Sequence, residues 1–297
     1  MARQGLQRGF SQGILQGVKT GFGMSNQRTG YLSGRTDGTT NNDKHQDPEN
    51  LVGAKIPIIQ WNAESCIVNA SNNVLTVNNL VNRTSPLSLT VGSDPNRAGL
   101  DVYGTKSAIT FDATDYITSA NTNGFGSECT IMLVFSLNNT TSTSDLCTYI
   151  FSTFSSTLGD ISIQSLNGNQ IQSYLGGNGG SGTVSRWQTP ANLIQGEWYT
   201  LTAKYRLYAV NGPGTEQEVY INGTKQNIIP VTTTFGTGDT TDVFGSIGSA
   251  PFVFGGDTSQ IRGGNEIAHA LVFTYWLNET EQIRMENYLK QYYGYKF

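Results

Sequence analysis

Ile267-Ala268-His269-Ala270-Leu271-Val272-Phe273-Thr274-Tyr275-Trp276 is apolar at almost every position, and it leads through Leu277 into Asn278-Glu279-Thr280-Glu281. So dense a run of branched and aromatic residues predicts a strand over 267–276 that is covered on both faces, inside a layered sheet structure. The next residues start a helix: Asn278 can cap it, and Glu281, three positions on, closes a capping box. Met285, Tyr288, Leu289 and Tyr292 then recur at helical spacing and line one face. Gly294 is placed to end the helix. The unit predicted is a doubly buried strand feeding one short amphipathic helix.

Strand signals recur upstream. Ile56-Pro57-Ile58-Ile59-Gln60-Trp61 opens the series, and short strands are predicted around 74–77 and 87–91. Ser107-Ala108-Ile109-Thr110-Phe111-Asp112 is followed after two residues by Asp115-Tyr116-Ile117, and Cys129-Thr130-Ile131-Met132-Leu133-Val134-Phe135 forms a longer strand. Gly196-Glu197-Trp198-Tyr199-Thr200-Leu201-Thr202-Ala203-Lys204-Tyr205 alternates in strand fashion. Glu218-Val219-Tyr220-Ile221-Asn222-Gly223-Thr224-Lys225 reads as a hairpin with Asn-Gly at a turn that needs positive φ. Phe244-Gly245-Ser246-Ile247-Gly248 completes the set. Many short strands punctuated by turn signals favour a sandwich.

In order and spacing these segments, together with the C-terminal strand and helix, resemble the concanavalin A-like lectin/glucanase domains, in the laminin-G-like branch common in bacterial and phage proteins. The chain carries His269 where that branch usually has Glu, and Thr274 where an Asp follows the aromatic residue. The resemblance implies an all-β, concanavalin A-like jelly-roll sandwich with a short C-terminal helix, spanning residues 55–297. Residues 1–54 are read as an extended, basic, glycine-rich arm and linker.

That arm has a period. Gly5, Gly9, Gly13, Gly17 and Gly21 recur every four residues, each followed by an apolar residue: Leu6, Phe10, Ile14, Val18 and Phe22. As a free helix the five glycines would cost roughly 5 kcal/mol against alanine, and a four-residue step drifts against the 3.6-residue turn. The segment is therefore expected to order on a partner, with its apolar residues filling the partner's pockets and Arg3, Arg8 and Lys19 beside them as an assembly anchor. Arg3, Arg8, Lys19, Arg28 and Arg35 face no acid before residue 36. They leave 13 of the 18 basic residues against all 22 acidic ones, a net of −9 on the rest of the chain. Five charges spread over 35 residues are a thin footprint for nucleic acid; other proteins of an assembly, or further copies of the chain in a homo-oligomer, fit the apolar period better.

Charged residues make up 13% of the chain, about half the usual share, and hydroxyl and amide side chains fill the gap, a surface suited to extracellular or virion proteins. The N-terminus lacks a continuous apolar core of the signal-peptide kind, and no run approaches the roughly 18 apolar residues of a membrane span. Cys66, Cys129 and Cys147 have no paired spacing and are expected to be buried free thiols. No zinc pattern is present, a metal site from Asp43, His45 and Asp47 reads better as solvated loop, and no motif supports calcium; no cofactor is expected.

A retaining glycosidase needs two carboxyl groups about 5 Å apart, and the glucanase branch of the family carries them on one strand as Glu-x-Asp-x-x-Glu. That string is absent from this sequence. Glu216-Gln217-Glu218 comes nearest, with both acids on one face of a strand but no third acid after them. Two solvated charges are the plainer reading. His269 is expected to be a core or interface histidine. Glycan binding, the family's other habit, needs an aromatic platform with amide and backbone groups for hydroxyls. Asn178 in the Gly-rich stretch 176–182, Trp187 just after it, and Tyr208 and Asn211 in an insertion before the Asn-Gly hairpin supply such groups. The expectation is a non-enzymatic virion structural protein, as capsid decoration, head fibre or tail component. Its arm would anchor it, and its lectin-like domain would be displayed on the particle surface toward host glycan. A polysaccharide-degrading enzyme and a secreted lectin or adhesin are the alternatives.

Overall fold

The computed structural model describes residues 55–81, 88–93, 95–98, 106–112, 115–120, 128–137, 148–153, 161–166, 170–176, 184–207, 215–234, 251–255 and 265–294. The anchor residues Arg3, Leu6, Arg8, Phe10, Ile14, Val18, Lys19 and Phe22, the Asp43-His45-Asp47 stretch, Cys147 and the strand expected at 244–248 lie outside the described residues.

Two antiparallel sheets face each other. The first runs β15 (Thr224–Lys225), β14 (Thr215–Ile221), β13 (Trp198–Leu207), β8 (Glu128–Leu137), β18 (Asn265–Phe273), β6 (Ala108–Phe111) and β5 (Asn96–Ala98), with β1 (Ile59–Asn62) also paired to β18. The second runs β16 (Ile229–Thr234), β12 (Val184–Asn192), β11 (Gln170–Gly176), β10 (Ile161–Leu166), β9 (Thr148–Thr153), β17 (Phe252–Phe254), β7 (Tyr116–Ser119) and β4 (Leu89–Gly92). A small hairpin of β2 (Cys66–Val68) and β3 (Val74–Val77) forms a third, two-stranded sheet whose Cys66, Val74 and Val77 pack into the main core. The helix α1 spans Glu279–Tyr292.

Strand alternation makes two cores. Cys129, Ile131, Leu133, Phe135 and Leu137 of β8 point between the sheets, where they meet Ile163, Ile171, Phe252 and Phe254. Met132 and Val134 point the other way, into a second cluster with Met285, Tyr288 and Leu289 of α1. In β18 the register against β8 shifts between Ile267 and His269, and beyond it Ala270 and Val272 face the first core while Leu271 and Phe273 face the helix. The helix therefore explains why this strand is apolar on both faces. Covering one such Leu or Met side chain contributes about 1.5–3 kcal/mol.

The strand stops at Phe273, three residues short of the sequence expectation. Its last pair on β8 is Thr130, whose hydroxyl donates to Tyr275 O at 2.7 Å and accepts from Leu277 N at 3.1 Å. These two hydrogen bonds turn the chain toward the helix, so residues 274–277 leave the ladder. The capping box forms as read: Asn278 Oδ1 accepts from Glu281 N at 3.0 Å, and Glu281 Oε2 accepts from Asn278 N at 2.8 Å. Gly294 closes the helix at φ +80°, and Asn222 and Gly223 turn the β14–β15 hairpin at φ 51° and 78°.

The pairings also fix which ends of the strands lie together. Asn265 at the start of β18 pairs with Phe111 and Leu137, the last residues of β6 and β8, and its amide donates to Gly255 O after β17 at 3.5 Å. From Phe254, the ladders through β9 and β10 start β11 at this same end. β13 starts there too, with Trp198 opposite Ser136. β11 and β13 thus run in the same direction, and Ser173 and Tyr205 share a buried hydroxyl bond of 2.6 Å across the core. Both strands finish at the opposite end, where β18 also delivers Tyr275 and Trp276.

Candidate functional site

The outer face of the first sheet carries a ladder of charge at that second end. Register places Lys204 opposite Glu218, and Arg206 between Glu216 on β14 and Glu128 on β8. Lys204 Nζ lies 2.6 Å from Glu218 Oε2; Lys225 binds the other oxygen of Glu218, and Tyr220 OH donates to Oε2 at 3.0 Å. Arg206 Nε reaches Glu128 Oε1 at 2.7 Å, and its Nη1 lies 3.6 Å from Glu216 Oε2. Burial pushes the Glu218 carboxyl upward, but the bonds to Lys204 and Lys225, the Lys204 charge and the Tyr220 hydroxyl outweigh it and hold the group down to about 2.

The sequence expectation of two solvated carboxylates is therefore corrected for Glu218. It does share a face with Glu216, but its side chain is 15% exposed and tied to two ammonium groups and a phenol. A carboxylate held in this way stays ionised and is a poor proton donor. Trying to use it as a nucleophile would mean leaving two cations unpaired.

Residues 275–277 belong to neither strand nor helix, yet nearly every backbone group in them is held. Besides the Thr130 bonds, Trp276 N donates to Glu128 Oε2 at 3.0 Å, Trp276 O accepts from Lys55 Nζ at 3.2 Å, and Leu277 O accepts from Lys204 Nζ at 3.3 Å. Lys55 also bonds Glu281 of the capping box at 2.8 Å. The Trp276 ring lies over Lys204 and over Arg206, each 4.6 Å from its centroid.

His269 is a core residue. Its ring meets Tyr288, Tyr292 and Tyr293 edge-on at 5.5–6.1 Å, and Nδ1 lies 3.5 Å from Tyr293 OH. Burial, aided by the Lys106 charge, holds its pKa down to about 3. Cys66 and Cys129 are buried and free of disulfides. Among the described residues no group of three His, Cys, Asp or Glu side chains could hold a metal ion, and no helix is long and apolar enough to cross a membrane.

Of the four glycan-binding candidates, Asn178, Tyr208 and Asn211 lie outside the described residues. Trp187 sits within β12, in register with Ser173 and Pro230. The strands that flank residues 177–183 and 208–214 end or begin at the same end of the sandwich, the end that carries Trp276. Sequence reasoning missed Lys204, Arg206 and Trp276, although a signal existed. Lys204 and Arg206 stand at the same distances before Asn211 as Glu218 and Glu216 stand after it, the pattern of cross-strand ion pairs in one hairpin.

The sequence profile of the concanavalin A-like lectin/glucanases superfamily, in its Laminin_G_3 form, matches residues 111–281. No curated protein matches the chain. Among solved structures, the binding domain of botulinum neurotoxin DC in complex with SialylT superposes with a TM-score of 0.52 at 13% identity, covering 80% of this chain and 52% of that one. The binding domain of paraclostridial mosquitocidal protein 1 gives 0.51 at 12% identity, covering 77% and 52%. A botulinum neurotoxin type C structure, described as dependent on two ganglioside molecules for cell entry, gives 0.51 at 14% identity, covering 76% and 52%. The chain spans about half the length of these structures, and at such identities the likeness is one of fold.

Proposed function

The chain belongs to the concanavalin A-like lectin/glucanases superfamily, whose profile covers more than half of it, and from that premise we propose that it is a non-enzymatic, glycan-binding structural protein of a virus particle. The observation that carries the binding part is the gathering of chain at one end of the sandwich. The hairpins β11–β12 and β13–β14 and the pinned residues 275–277 all belong to it. Glycan would sit there, with Asn178, Trp187, Tyr208 and Asn211 as contributors. Two solved structures of the same fold are binding domains by description, and a third is described by a dependence of cell entry on two gangliosides, which supports this choice over a hydrolase. Glu218, ion-paired with Lys204 and Lys225 and held ionised, is unsuited to the acid role of a hydrolase's carboxylate pair.

The virion part rests on the N-terminal sequence. A glycine every fourth residue, an apolar residue after each, and five basic charges without an acid suit an arm that orders against other virion proteins or further copies of the chain. The sandwich is then displayed on the particle surface as capsid decoration, head fibre or tail component. Deleting residues 1–50 should abolish incorporation into particles while the sandwich still folds and binds glycan; incorporation of the truncated protein at the full level would remove the anchor. A second test separates lectin from enzyme: bound oligosaccharides should be recovered uncleaved, and turnover lost in Glu216→Gln or Glu218→Gln would favour a hydrolase.

A further inference from the structure

Of residues 275–277, Leu277 is the one that anchors by burial: it is wholly buried beneath α1, whereas Trp276 is half-buried and Tyr275 is 39% exposed. A clasp between strand and helix needs Leu277. It has no need of a large ring held at the surface from both sides of its backbone. We infer that the indole of Trp276 is the stacking platform for one neutral pyranose ring of the bound glycan. This rests on the lectin-like reading and adds to it a residue, a face and a ligand class.

Lys204 and Arg206 leave β13 as alternate residues on one face, and the Trp276 ring lies across both heads at 4.6 Å. The Lys204 side chain is only 3% exposed, because the ring, Tyr220 and the Leu277 carbonyl cover it. The cations thus line the indole from the β13 side, and Trp276 as a whole is half-buried and keeps part of its surface toward solvent. Sugar rings present an apolar face of C–H groups that stacks on such a surface, while their hydroxyls need charged or amide partners at its edge.

Those partners are in place. Arg206, Glu128 and Glu216 are 30%, 33% and 37% exposed, so they can reach a ligand while their mutual ion pairs hold them in position. A guanidinium beside carboxylates offers paired donors and acceptors to neighbouring hydroxyls. Rigid backbone under the ring lowers the ordering cost of binding. Charge selects the ligand class: among the described residues, Lys55, Lys204, Arg206 and Lys225 are matched by Glu281, Glu128, Glu216 and Glu218, so these groups are neutral in sum and offer a carboxylated sugar no surplus cation.

The test is titration of the full chain with neutral oligosaccharides ending in glucose, galactose, mannose or N-acetylglucosamine, and with the same series ending in a carboxylated sugar. The wild type should bind a neutral member with a change in tryptophan fluorescence. Trp276→Ala should weaken that binding at least about tenfold; in a chain already carrying Trp187→Phe, Trp276→Phe should keep the affinity of that parent within about threefold but lose the fluorescence change. Wild-type affinity in a folded Trp276→Ala variant would overturn the platform while leaving the lectin-like reading intact. If the alanine variant fails to fold, an undiminished fluorescence change in Trp276→Phe on the Trp187→Phe background overturns it equally. Preference for the carboxylated series would overturn the ligand class, and absence of binding to every glycan would overturn both the platform and the reading beneath it.

Discussion

Replacing Lys204 by Met takes away a cation whose side chain is 3% exposed and whose ammonium sits 2.6 Å from Glu218. Removing one partner of a buried ion pair typically costs about 3–5 kcal/mol, because the other charge is left uncompensated. Here Glu218 keeps Lys225 and the Tyr220 hydroxyl, which moves the expectation to the lower part of that range. Loss of the bond to Leu277 O and of the contact with Trp276 adds about 1–2 kcal/mol, while the Met side chain returns part of this through apolar packing. A net loss of roughly 3 kcal/mol follows. Arg206→Met is the internal control: its partners are 33% and 37% exposed, and such pairs are worth about 0–1 kcal/mol. Urea unfolding followed by tryptophan fluorescence measures both. The pH dependence gives a second readout. Glu218 is depressed in the folded state to about 2 from an ordinary 4.5, so its contribution is full above pH 4.5 and disappears as pH falls toward 2. Lys204→Met should flatten that loss. A Lys204→Met variant within about 1 kcal/mol of wild type, or no worse than Arg206→Met, would show that the Lys204–Glu218 pair does not act as a buried ion pair.

Three further outcomes are expected. His269, held neutral by burial with a pKa of about 3 against an ordinary 6.5, contributes fully above pH 6.5 and loses its contribution as pH falls toward 3. His269→Phe should therefore remove a slope of up to about 1.4 kcal/mol per pH unit in that window, seen in unfolding at pH 6.5 and 5; an unchanged slope would contradict this. Gly255 has φ +81°, and a methyl group there would stand 2.1 Å from the Phe111 ring. Gly255→Ala should cost more than about 2 kcal/mol in unfolding free energy. Asn278→Ala removes the cap of α1 and should cost about 1 kcal/mol by the same assay, a small effect because Lys55 continues to hold Glu281.

Local features were legible in the sequence because local rules decide them. Asn278 and Glu281 form their capping box within three residues, and Asn222-Gly223 turns a hairpin that needs positive φ. The run from Ile267 announced burial on both faces, and α1 supplies the second cover. The end of β18 was not legible, since what stops it is Thr130, far away in sequence and brought alongside by the β8 register. The charge ladder left only its even spacing about Asn211 in the sequence. Glu216 and Glu218 read as solvated because their partners stand on β13, and only a strand pairing sets Lys204 against Glu218. Trp276 read as the tail of a strand, and its position over two cations depends on tertiary contacts with Lys55, Glu128 and β13.

Glycan binding by the full chain, measured on an array of immobilised oligosaccharides and followed by analysis of the sugars released, tests the central claim most directly. Saturable retention on neutral glycans is expected, with every oligosaccharide recovered at its original length. Failure to retain the protein on any glycan, or recovery of shortened products, would contradict it.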